Sequence, residues 1–401
     1  MYKFLRIKNI VENILLSPFI LIGRLIAWFK PLKKEYSVFF IFPFYHTGGV
    51  EKVHYNIVQA IGSPNCIIFF TRKSYNSNYL NEFIKSRCDI KNISTFTDNK
   101  LLYFLNFIYR GILSGYINSQ ANKPIVLNGQ SNMGYKISPW IRNNVVQIEL
   151  IHAFNTFSHI RISFLKYYKT SLTISEKVIN DHFKLYEKCQ IPPVFRQRFR
   201  YIENRIELPV LDFTKNYNHE YLKVLYVGRG TEEKRVHLVA QMASSIKKTN
   251  PNILFQFAGD VRDSIPNSLI SDCILLGDLT QDQLHKVYID SHILVITSST
   301  ESGPLVFMEA MARGNCIIST SVGYIPKHIF NYKTGFILEE LYNEKEIVEE
   351  SIKWIQYMNT NRNSLSEIGT NNITYAFANF GLENFNSAYR NLFAEFGFKV
   401  K

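Results

Sequence analysis

The sequence predicts an α/β protein with two doubly wound domains, each built on a parallel sheet. Two sets of short, nearly continuous apolar runs alternate with helix-like segments, a pattern typical of buried parallel strands joined by crossover helices. A polar stretch without clear periodicity separates the two sets, as expected of a linker. The length of 401 residues suits two domains of ordinary size.

The first set of strands predicts a domain over residues 35–206. Its strand candidates are YSVFFIF, NCIIFF, KPIVLN, NVVQIELI and SLTIS, and a helix candidate at residues 50–61 follows the first of them directly. The second set predicts a domain over residues 222–371, with the candidates LKVLYVG, ILFQFAG, CILLG, HILVITS and NCIIST. Residues 207–221 are assigned to the linker and residues 372–401 to a helical tail.

The first 34 residues form a basic segment with long apolar runs. Its apolar core is short for a membrane span and contains Pro18 and Arg24, and basic residues flank both of its ends, whereas a spanning helix keeps them on one side. No cleavage site of small residues follows. We expect an amphipathic segment that lies on an anionic membrane. A helix packed on the first domain and a true membrane anchor are the alternatives.

Composition restricts the partners and the compartment. The formal net charge of +13 suits an acidic partner, which could be nucleic acid, anionic lipid or a phosphorylated substrate. The five cysteines are scattered, odd in number and without a C-x-x-C pair, which argues against a disulfide framework or a zinc site. A reducing, cytoplasmic compartment therefore fits best.

Candidate ligand-binding residues follow the strands, since ligands of doubly wound sheets bind at the carboxyl ends of the strands. In FPFYHTGGVEKV, Gly48 and Gly49 could let a ligand approach the amides that open the next helix, although a plain turn is the alternative. The full glycine patterns of dinucleotide sites and P-loops are absent from this stretch. His152 follows another strand, where a structural role is the alternative.

A second candidate is YVGRGTEEKRV, at the end of the first strand of the second domain. Gly228 turns the chain, and Arg229 and Lys234 then offer a planar guanidinium and a mobile ammonium. Two such cations suit a diphosphate. The alternative is a solvated basic loop that Glu232 and Glu233 neutralise.

The third candidate is TESGPLVFMEAMARG, where two glutamates stand eight positions apart. Glu301 follows the strand HILVITS, and Ser302-Gly303 is predicted to cap a helix with Pro304 in its first turn. Glu309 then lies about five residues into the helix. A carboxylate there can accept hydrogen bonds from two vicinal sugar hydroxyls. The alternatives are an exposed helical Glu309 and a Glu301 favoured by the helix dipole.

In this order the motifs resemble those of the retaining, nucleotide-sugar-dependent glycosyltransferases of family 4. The stretches are HTGGVEKV, LTISEKVINDHF, YIENRIEL, VGRGTEEKRVHLV and ESGPLVFMEAMARGNCIISTSVGYIPKHIFNYKTGFIL. The resemblance implies the GT-B fold, in which two Rossmann-like domains face a cleft. The chain departs from the family pattern at Arg205, which replaces the usual Gly after Asn204, and the first 34 residues lie outside the resemblance.

The resemblance implies a role for each matching residue of the second domain. Arg229 and Lys234 would bind the donor diphosphate after the turn at Gly228 and stabilise it as it leaves. Glu309 would hold the ribose hydroxyls, and Glu301 would contact the donor sugar. The backbone after Glu301 would line the same pocket, at Gly303, Pro304 and Leu305.

In the first domain, the resemblance implies that Gly48 and Gly49 let the acceptor and the diphosphate approach closely, and that His152 lies near the anomeric centre. It also implies that no metal or other cofactor is needed, and the sequence has no D-x-D triplet to hold one.

The function that we expect is retaining transfer of a sugar from a nucleotide-diphosphate donor to a saccharide or lipid-linked acceptor in surface glycan biosynthesis, namely capsule, lipopolysaccharide or exopolysaccharide. The protein would work in the cytoplasm or on the inner face of the cell membrane, in contact with anionic lipid and without nucleic acid. The alternatives are a GT-B nucleotide-sugar epimerase and a catalytically silent GT-B binding subunit.

Overall fold

The structure is a computed structural model that describes residues 1–46 and 48–398. The chain divides into two compact units. The first comprises Met1–Glu203 together with the described residues from Glu383 onward, and the second is Asn204–Leu382.

The first unit is built on a parallel sheet. Among its described residues, seven strands pair in the order β3-β2-β1-β4-β5-β6-β7. They are β1 (Val38–Phe42), β2 (Cys66–Phe70), β3 (Asp89–Asn92), β4 (Ile125–Asn128), β5 (Val146–Ile151), β6 (Thr170–Thr173) and β7 (Phe199–Tyr201). All five residues of β1 are buried, which explains why this strand has no alternation of polar and apolar residues.

The first unit also contains helices. They are α1 (Tyr2–Phe29), α2 (Gly49–Ile61), α3 (Asn78–Lys85), α4 (Ser94–Thr97), α5 (Tyr103–Asn118), α6 (Asn132–Ile137), α7 (Thr156–Ile160) and α8 (Glu176–Lys188), with 3-10 turns at Ser138–Trp140, Arg161–Tyr167 and Pro193–Arg198. Leu113 and Ile117 of α5 pack with Phe39 and Ile41 of β1 in one apolar cluster. Helix α5 is therefore part of the layer that covers the sheet.

The second unit repeats the architecture with a parallel sheet in the order β10-β9-β8-β11-β12-β13. Its strands are β8 (Leu222–Val227), β9 (Ile253–Ala258), β10 (Ile274–Gly277), β11 (Ile293–Ile296), β12 (Cys316–Thr320) and β13 (Gly335–Leu338). Its helices are α9 (Val236–Lys247), α10 (Gln281–Asp290), α11 (Val306–Met311), α12 (Glu344–Thr360) and α13 (Arg362–Asn379), with 3-10 turns at Glu232–Lys234, Arg262–Ser264, Asn267–Asp272 and Ile325–Lys327.

Each sheet has a point at which the strand order reverses. In the first unit the chain proceeds outward from β1 to β3 and then resumes on the other side of β1 with β4. In the second unit β8 and β11 are the corresponding neighbours. The loops that leave such a pair diverge and open a crevice beyond the carboxyl ends of the strands. The expected fold class, two doubly wound Rossmann-like α/β domains, is confirmed.

The strand candidates from the sequence correspond to strands of the structure, but β3, β7 and β13 were not predicted. Strands β3 and β7 are short edge strands with partly exposed residues, so they lack an apolar run. Strand β13 is buried but has only four residues. These three segments form strands because they pair with a neighbouring strand of the sheet.

The segments assigned to a linker and a tail belong to the units themselves. Lys215 Nζ donates to the carbonyl oxygens of Tyr288 and Arg313, both at 3.0 Å, so this part of residues 207–221 is fastened to the second unit. The boundary at residue 372 falls inside α13, where the side-chain amide of Asn372 donates to Asn315 O at 2.7 Å and Thr334 O at 2.8 Å.

The last described helix, α14 (Leu382–Glu395), belongs with the first unit from Glu383 onward. Arg390 Nε donates to Ala60 O at 3.0 Å, and Arg200 pairs with Glu395 at 2.7 Å. The predicted tail is therefore divided between the two units.

Helix α1 is continuous through Pro18, so this proline does not interrupt it. Proline lacks the amide that would bond to the carbonyl of Ile14, and Ser17 Oγ donates to that carbonyl instead, at 2.7 Å. By length and composition, α1 is the one helix of the described residues that could cross a membrane.

Candidate functional site

In the second unit, hydrogen bonds join the loop after β8 to the loop after β11. Thr297 Oγ1 donates to the carbonyl oxygens of Lys234 at 3.1 Å and Arg235 at 3.0 Å. Arg235 is buried in a left-handed backbone conformation, and its Nε donates to Thr297 O at 2.7 Å. The amide of Ser299 donates to Glu233 O at 2.8 Å. The two motifs of the second unit that were predicted to bind the donor are therefore held side by side at the switch point, where the strand order reverses between β8 and β11.

Lys234 and Glu301 form an ion pair across this junction. Ser298 Oγ also donates to Glu301 Oε1, at 2.8 Å. The side chains are exposed by 22% and 11%, so the pair is partly shielded but still reachable. Lys234, predicted to bind phosphate, and Glu301, predicted to bind the sugar, thus form one charged cluster. Separate roles were inferred for them from the sequence, and their pairing was not predicted.

Arg229 lies in the same electrostatic neighbourhood. Its side chain is exposed, and its carbonyl accepts a hydrogen bond from Tyr226 Oη at 3.0 Å. Burial raises the pKa of the Tyr226 hydroxyl, Glu301 raises this pKa further, and Arg229 opposes the shift. Both charges therefore lie near one hydroxyl. A side chain at Gly228, where φ is 159°, would crowd the same tyrosine, with its Cβ 3.1 Å from Tyr226 Oη.

A recess of about 150 Å³ lies beside this cluster, at the ends of β9 and β10. Its lining is Gly259, Asp260, Val261, Arg262, Leu275, Gly277 and Asp278. The amide of Gly230 donates to Asp260 O at 2.8 Å, which links the recess to the loop that carries Arg229. These residues could not be recognised as a group from the sequence, because they belong to two different strand ends.

Glu309 is buried on α11, and only 6% of it is exposed. Tyr288 Oη, from α10, donates to Glu309 Oε2 at 3.1 Å. The alternative of an exposed helical glutamate is therefore wrong. Tyr288 was not identified from the sequence, since nothing in the order of residues shows that α10 and α11 meet.

The predicted start of the helix is also wrong. Helix α11 begins at Val306 with Leu305 at its N-cap and no side-chain cap, so Ser302-Gly303 does not cap it and Pro304 lies before it. Glu309 is its fourth residue. Because the helix has only six residues, its N-terminus is a weak source of positive potential.

The loop that precedes α11 is fixed by packing. Pro304 and Leu305 are buried, which leaves only their backbone to line a pocket. A Cβ at Gly303 would meet the ring of Tyr324 at 2.5 Å. Asn204 Nδ2 donates to Gly303 O at 3.3 Å, so Asn204, known from the sequence only as part of a motif, supports the Glu301 loop.

In the first unit, Gly48 and Gly49 lie where β1 leads into α2. Gly48 is the N-cap residue in an extended conformation, and Gly49 is the first helical residue. A Cβ at Gly48 would collide with the carboxylate of Glu51, whereas a Cβ at Gly49 would meet nothing within 4 Å. Because the Glu51 carboxylate is the movable end of a side chain and the backbone at Gly48 is extended, the local fold does not by itself require glycine there. The open space beside Gly49 is compatible with a ligand.

His152 follows β5 and is buried against a second histidine, His54 of α2. Their Nε2 atoms are 2.9 Å apart, and the amide of His152 donates to Gln130 Oε1 at 3.1 Å. Both Nδ1 atoms are buried without a hydrogen-bond partner among the described residues. Burial lowers the pKa of His152 to about 3 and that of His54 well below its usual value. Both rings are therefore neutral at physiological pH.

The predicted site residues thus fall into two groups. Gly48, Gly49 and His152 follow strands of the first unit, and the other predicted residues lie in the second, in the segments after β8 and β11 except for Glu309, which is on α11. Within the part of the chain that the structure describes, no group of three or more His, Cys, Asp or Glu side chains is placed to hold a metal ion. Independence of metal remains a prediction.

The second unit matches a known family. Residues 210–371 match the family model described as "Glycosyl transferases group 1". Among curated relatives, the chain is 25% identical over 142 residues to the lipopolysaccharide 1,2-N-acetylglucosaminetransferase of Salmonella typhimurium, a match that covers 32% of this chain and 37% of that protein. It is 28% identical over 128 residues to the phosphatidylinositol N-acetylglucosaminyltransferase gpi3 subunit of Schizosaccharomyces pombe, with 30% and 28% covered. The chain thus spans about a third of these relatives.

The likeness to solved structures covers nearly the whole chain. The Anabaena protein Alr3699/HepE, solved in complex with UDP-glucose, superposes with a TM-score of 0.70 at 13% identity, over 89% of this chain and 99% of that one. This likeness shows the fold, which is of the GT-B type. The match to the glycosyl transferases group 1 model is confined to residues 210–371, within the second unit.

Proposed function

We propose that the protein is a retaining glycosyltransferase that moves a sugar from a nucleotide-diphosphate donor to a saccharide or lipid-linked acceptor. The observation that carries the proposal is the charged cluster of Arg229, Lys234 and Glu301 at the β8–β11 switch point, within the matched domain. Cations and a carboxylate at one crevice suit a ligand that has both a diphosphate and a hydroxylated sugar.

The parts of the donor are assigned to neighbouring parts of the second unit. The diphosphate binds Arg229 and Lys234, the ribose hydroxyls bind Glu309, and the sugar binds Glu301 and the backbone at Gly303, with Pro304 and Leu305 beside it. The base occupies the recess between the ends of β9 and β10. Complexes of the Anabaena relative with UDP and with UDP-glucose support a nucleotide-sugar donor of this class.

The mechanism is front-face substitution at the anomeric carbon. As the donor bond breaks, negative charge develops on the diphosphate, and Arg229 and Lys234 stabilise it without a metal ion. The departing phosphate takes the proton of the acceptor hydroxyl, so no residue acts as a covalent nucleophile. His152, which is expected near the anomeric centre, is neutral and adds no charge. Retention of configuration follows from attack on the face that the phosphate leaves.

The acceptor is a growing surface glycan, and the reaction takes place in the cytoplasm. The Salmonella relative is by its name a lipopolysaccharide transferase, which supports this class of acceptor. The five cysteines are free, as suits a reducing compartment.

The test uses a panel of UDP-, GDP- and ADP-sugars in a thermal-shift assay. A donor that binds the folded state at 100 times its Kd stabilises it by about 2.7 kcal/mol. Donors that stabilise the protein are then incubated with short saccharide and lipid-linked acceptors, and the product anomer is determined by NMR. Transfer with retained configuration supports the proposal. Release of an epimerised nucleotide sugar without acceptor, or the absence of any stabilising donor, would contradict it.

The role of the two cations is tested by the double variant Arg229→Ala/Lys234→Ala. We expect turnover to be abolished and binding of the bare nucleoside diphosphate to weaken at least tenfold, because two charge-assisted contacts are lost. The control is Lys247→Ala/Lys248→Ala, which removes two exposed cations from the far end of α9. Unchanged diphosphate affinity in the first double variant, measured by calorimetry, would refute the phosphate site.

A further inference from the structure

Helix α1 turns its apolar residues away from the protein. Large hydrophobic side chains are exposed along its whole length, among them Phe4 at 68%, Leu15 at 71% and Trp28 at 72%. The others are Ile7, Ile10, Val11, Ile14, Phe19, Leu21, Ile22, Leu25, Ile26 and Phe29. A helix on the surface of a protein in water shows the opposite arrangement, with its apolar stripe facing the core.

The polar residues in the middle of α1 lie on the side that contacts the protein. Glu12 pairs with Lys136 at 2.7 Å and with Arg110 at 3.7 Å, and Arg24 donates to Trp140 O at 2.8 Å. Asn9 is buried on the same side. Glu12 is thus paired and Arg24 is hydrogen-bonded on the inner side, and residues 9–29 contain no other charged residue.

Small residues bring this inner face close to α5. A Cβ on Gly23 would lie 2.8 Å from Gly111 Cα, and a Cβ on Gly115 would lie 2.8 Å from the Cβ of Ala27. Such close backbone approach through small residues is common between helices that have lipid around them.

The apolar outer surface continues onto α5. The ring of Phe19 lies 5.8 Å from that of Phe107, which lies 5.3 Å from Tyr103. Leu101, just before α5, and Phe104, in its first turn, are also exposed. We define the lipid-facing surface as the outer side of α1 together with Leu101, Tyr103 and Phe104.

Basic residues stand at both ends of this surface. Lys3 and Lys8 are exposed near the start of α1, and Lys30, Lys33 and Lys34 are exposed at or just after its end. Residues 1–34 contain seven Lys and Arg against one Glu, and that glutamate is paired inward. Ammonium groups at the border of an apolar surface fit anionic lipid headgroups around buried acyl chains.

We propose that α1 is embedded in the plane of an anionic lipid bilayer, with its outer side among the upper acyl chains and its lysines among the headgroups. Both ends of the helix are fastened to the first unit, which excludes a spanning orientation in this fold. The amide of Tyr2 donates to Cys189 O at 3.2 Å and its ring contacts Phe195, while Ala27, at the other end, contacts Gly115 of α5. A helix held along its length against a folded unit lies flat.

This surface is independent of the transfer reaction, so its test uses binding alone. The full-length protein is sedimented with sucrose-loaded vesicles of phosphatidylcholine, with or without 30 mol% phosphatidylglycerol. We expect binding to the anionic vesicles and weaker binding to the neutral ones. The variant Leu15→Glu/Leu25→Glu should bind about a hundredfold more weakly, because each leucine contributes roughly tenfold when it is buried in lipid.

Matched controls place the same charge elsewhere. Val210→Glu and Ile84→Glu change exposed apolar residues outside this surface and should bind like the unmodified protein. Lys30→Gln/Lys33→Gln should lower binding to anionic vesicles by about fivefold per lysine and leave binding to neutral vesicles unchanged. Circular dichroism checks the fold of each variant. Vesicle binding that is unaffected by Leu15→Glu/Leu25→Glu would overturn the proposal.

The orientation is tested with cysteines at both ends of α1. Lys3→Cys and Lys33→Cys proteins, bound to the outside of vesicles, are treated with a membrane-impermeant thiol reagent, and the unmodified protein gives the background from its own cysteines. Reaction at both positions supports a helix in the plane of the membrane. Protection of one position shows a spanning helix and overturns the proposal. A protein that forms a stable dimer without lipid and fails to bind vesicles also overturns the proposal, since a second copy would then cover the lipid-facing surface.

Discussion

The carboxylates of Glu301 and Glu309 stand eight positions apart in the sequence and have different neighbours in the fold. Glu301, in the loop after β11, is partly exposed and paired with Lys234. Glu309 is buried and accepts a hydrogen bond from Tyr288. Glu301 therefore belongs to the charged cluster, whereas the surroundings of Glu309 are formed by the contact between α10 and α11. The two should respond differently to the same substitution.

We expect Glu309→Gln to weaken the bare nucleoside diphosphate about tenfold to a hundredfold, since a lost hydrogen bond to a charged group is worth about 1.5–3 kcal/mol. Glu301→Gln should leave diphosphate affinity nearly unchanged and lower kcat with the full donor, because it acts on the sugar half. Calorimetry with the diphosphate and kinetics with the donor separate the two. Tyr288→Phe controls for packing around Glu309. Equal loss of diphosphate affinity in both glutamate variants would refute this division.

The buried pair of His54 and His152 should make the protein acid-sensitive. Both pKa values lie below the usual value near 6.5, so the unfolded chain binds protons that the folded protein excludes. The free energy of unfolding should therefore be constant above about pH 6.5 and fall as the pH decreases from there toward 3, with at most about 1.4 kcal/mol per pH unit for each ring. Urea titrations between pH 7.5 and 4 measure this slope.

The double variant His54→Gln/His152→Gln should flatten that slope. His219→Gln, at an exposed position, is the control and should leave it as it is. A slope that the double variant does not reduce would show that other groups cause the acid sensitivity.

Among the helices, alanine at two glycine positions should change the free energy of unfolding in opposite directions. Gly49→Ala opens α2 with a better helix former in free space and should raise the free energy of unfolding by up to about 1 kcal/mol. Gly49→Ala should also lower turnover, because the methyl group occupies the space in which the ligand is expected to approach α2. Gly23→Ala places a methyl group against the backbone of α5 and should destabilise the first unit by about 1–3 kcal/mol.

Thermal unfolding and initial rates, measured on the same preparations, distinguish the two glycine variants. Full turnover in Gly49→Ala would mean that no substrate occupies the space beside α2. Unchanged stability in Gly23→Ala would mean that α1 and α5 separate easily.

At the scale of the whole molecule, charge stabilisation by side chains predicts that no divalent ion is required. Transfer activity should survive dialysis against EDTA, since Arg229 and Lys234 supply the positive charge at the diphosphate. Initial rates before and after chelation, with Mg²⁺ and Mn²⁺ added back, measure this. Loss of activity with EDTA and recovery with either ion would contradict the role of the two cations.

Much of the fold could be predicted because the signals are local. The buried runs VFFIF and CIIFF indicate parallel strands from five residues each, and the polar stretch at residues 207–221 separates two similar patterns. The edge strands β3 and β7 could not be found in this way, since their residues are partly exposed and only pairing with a neighbour makes them strands.

The candidate site was only partly predictable, for the same physical reason. Arg229, Lys234 and Glu301 could be named because they directly follow strand candidates. Their ion pair, and the partners Tyr288 and His54, come from other segments of the chain. The start of α11 was misplaced because burial of Pro304 and Leu305 competes with the local preference of Ser-Gly-Pro to open a helix.

Local sequence patterns predict the two α/β domains, the strands with continuous apolar runs, and the residues at the ends of those strands. These follow from side-chain periodicity and from turn residues, which act over a few positions. Only the tertiary structure decided which charges meet, which carboxylate is buried, and which side of α1 faces outward. Those depend on contacts between segments far apart in the chain, such as Glu12 with Lys136, where the free energy of burying or pairing a group is set by its neighbours in space.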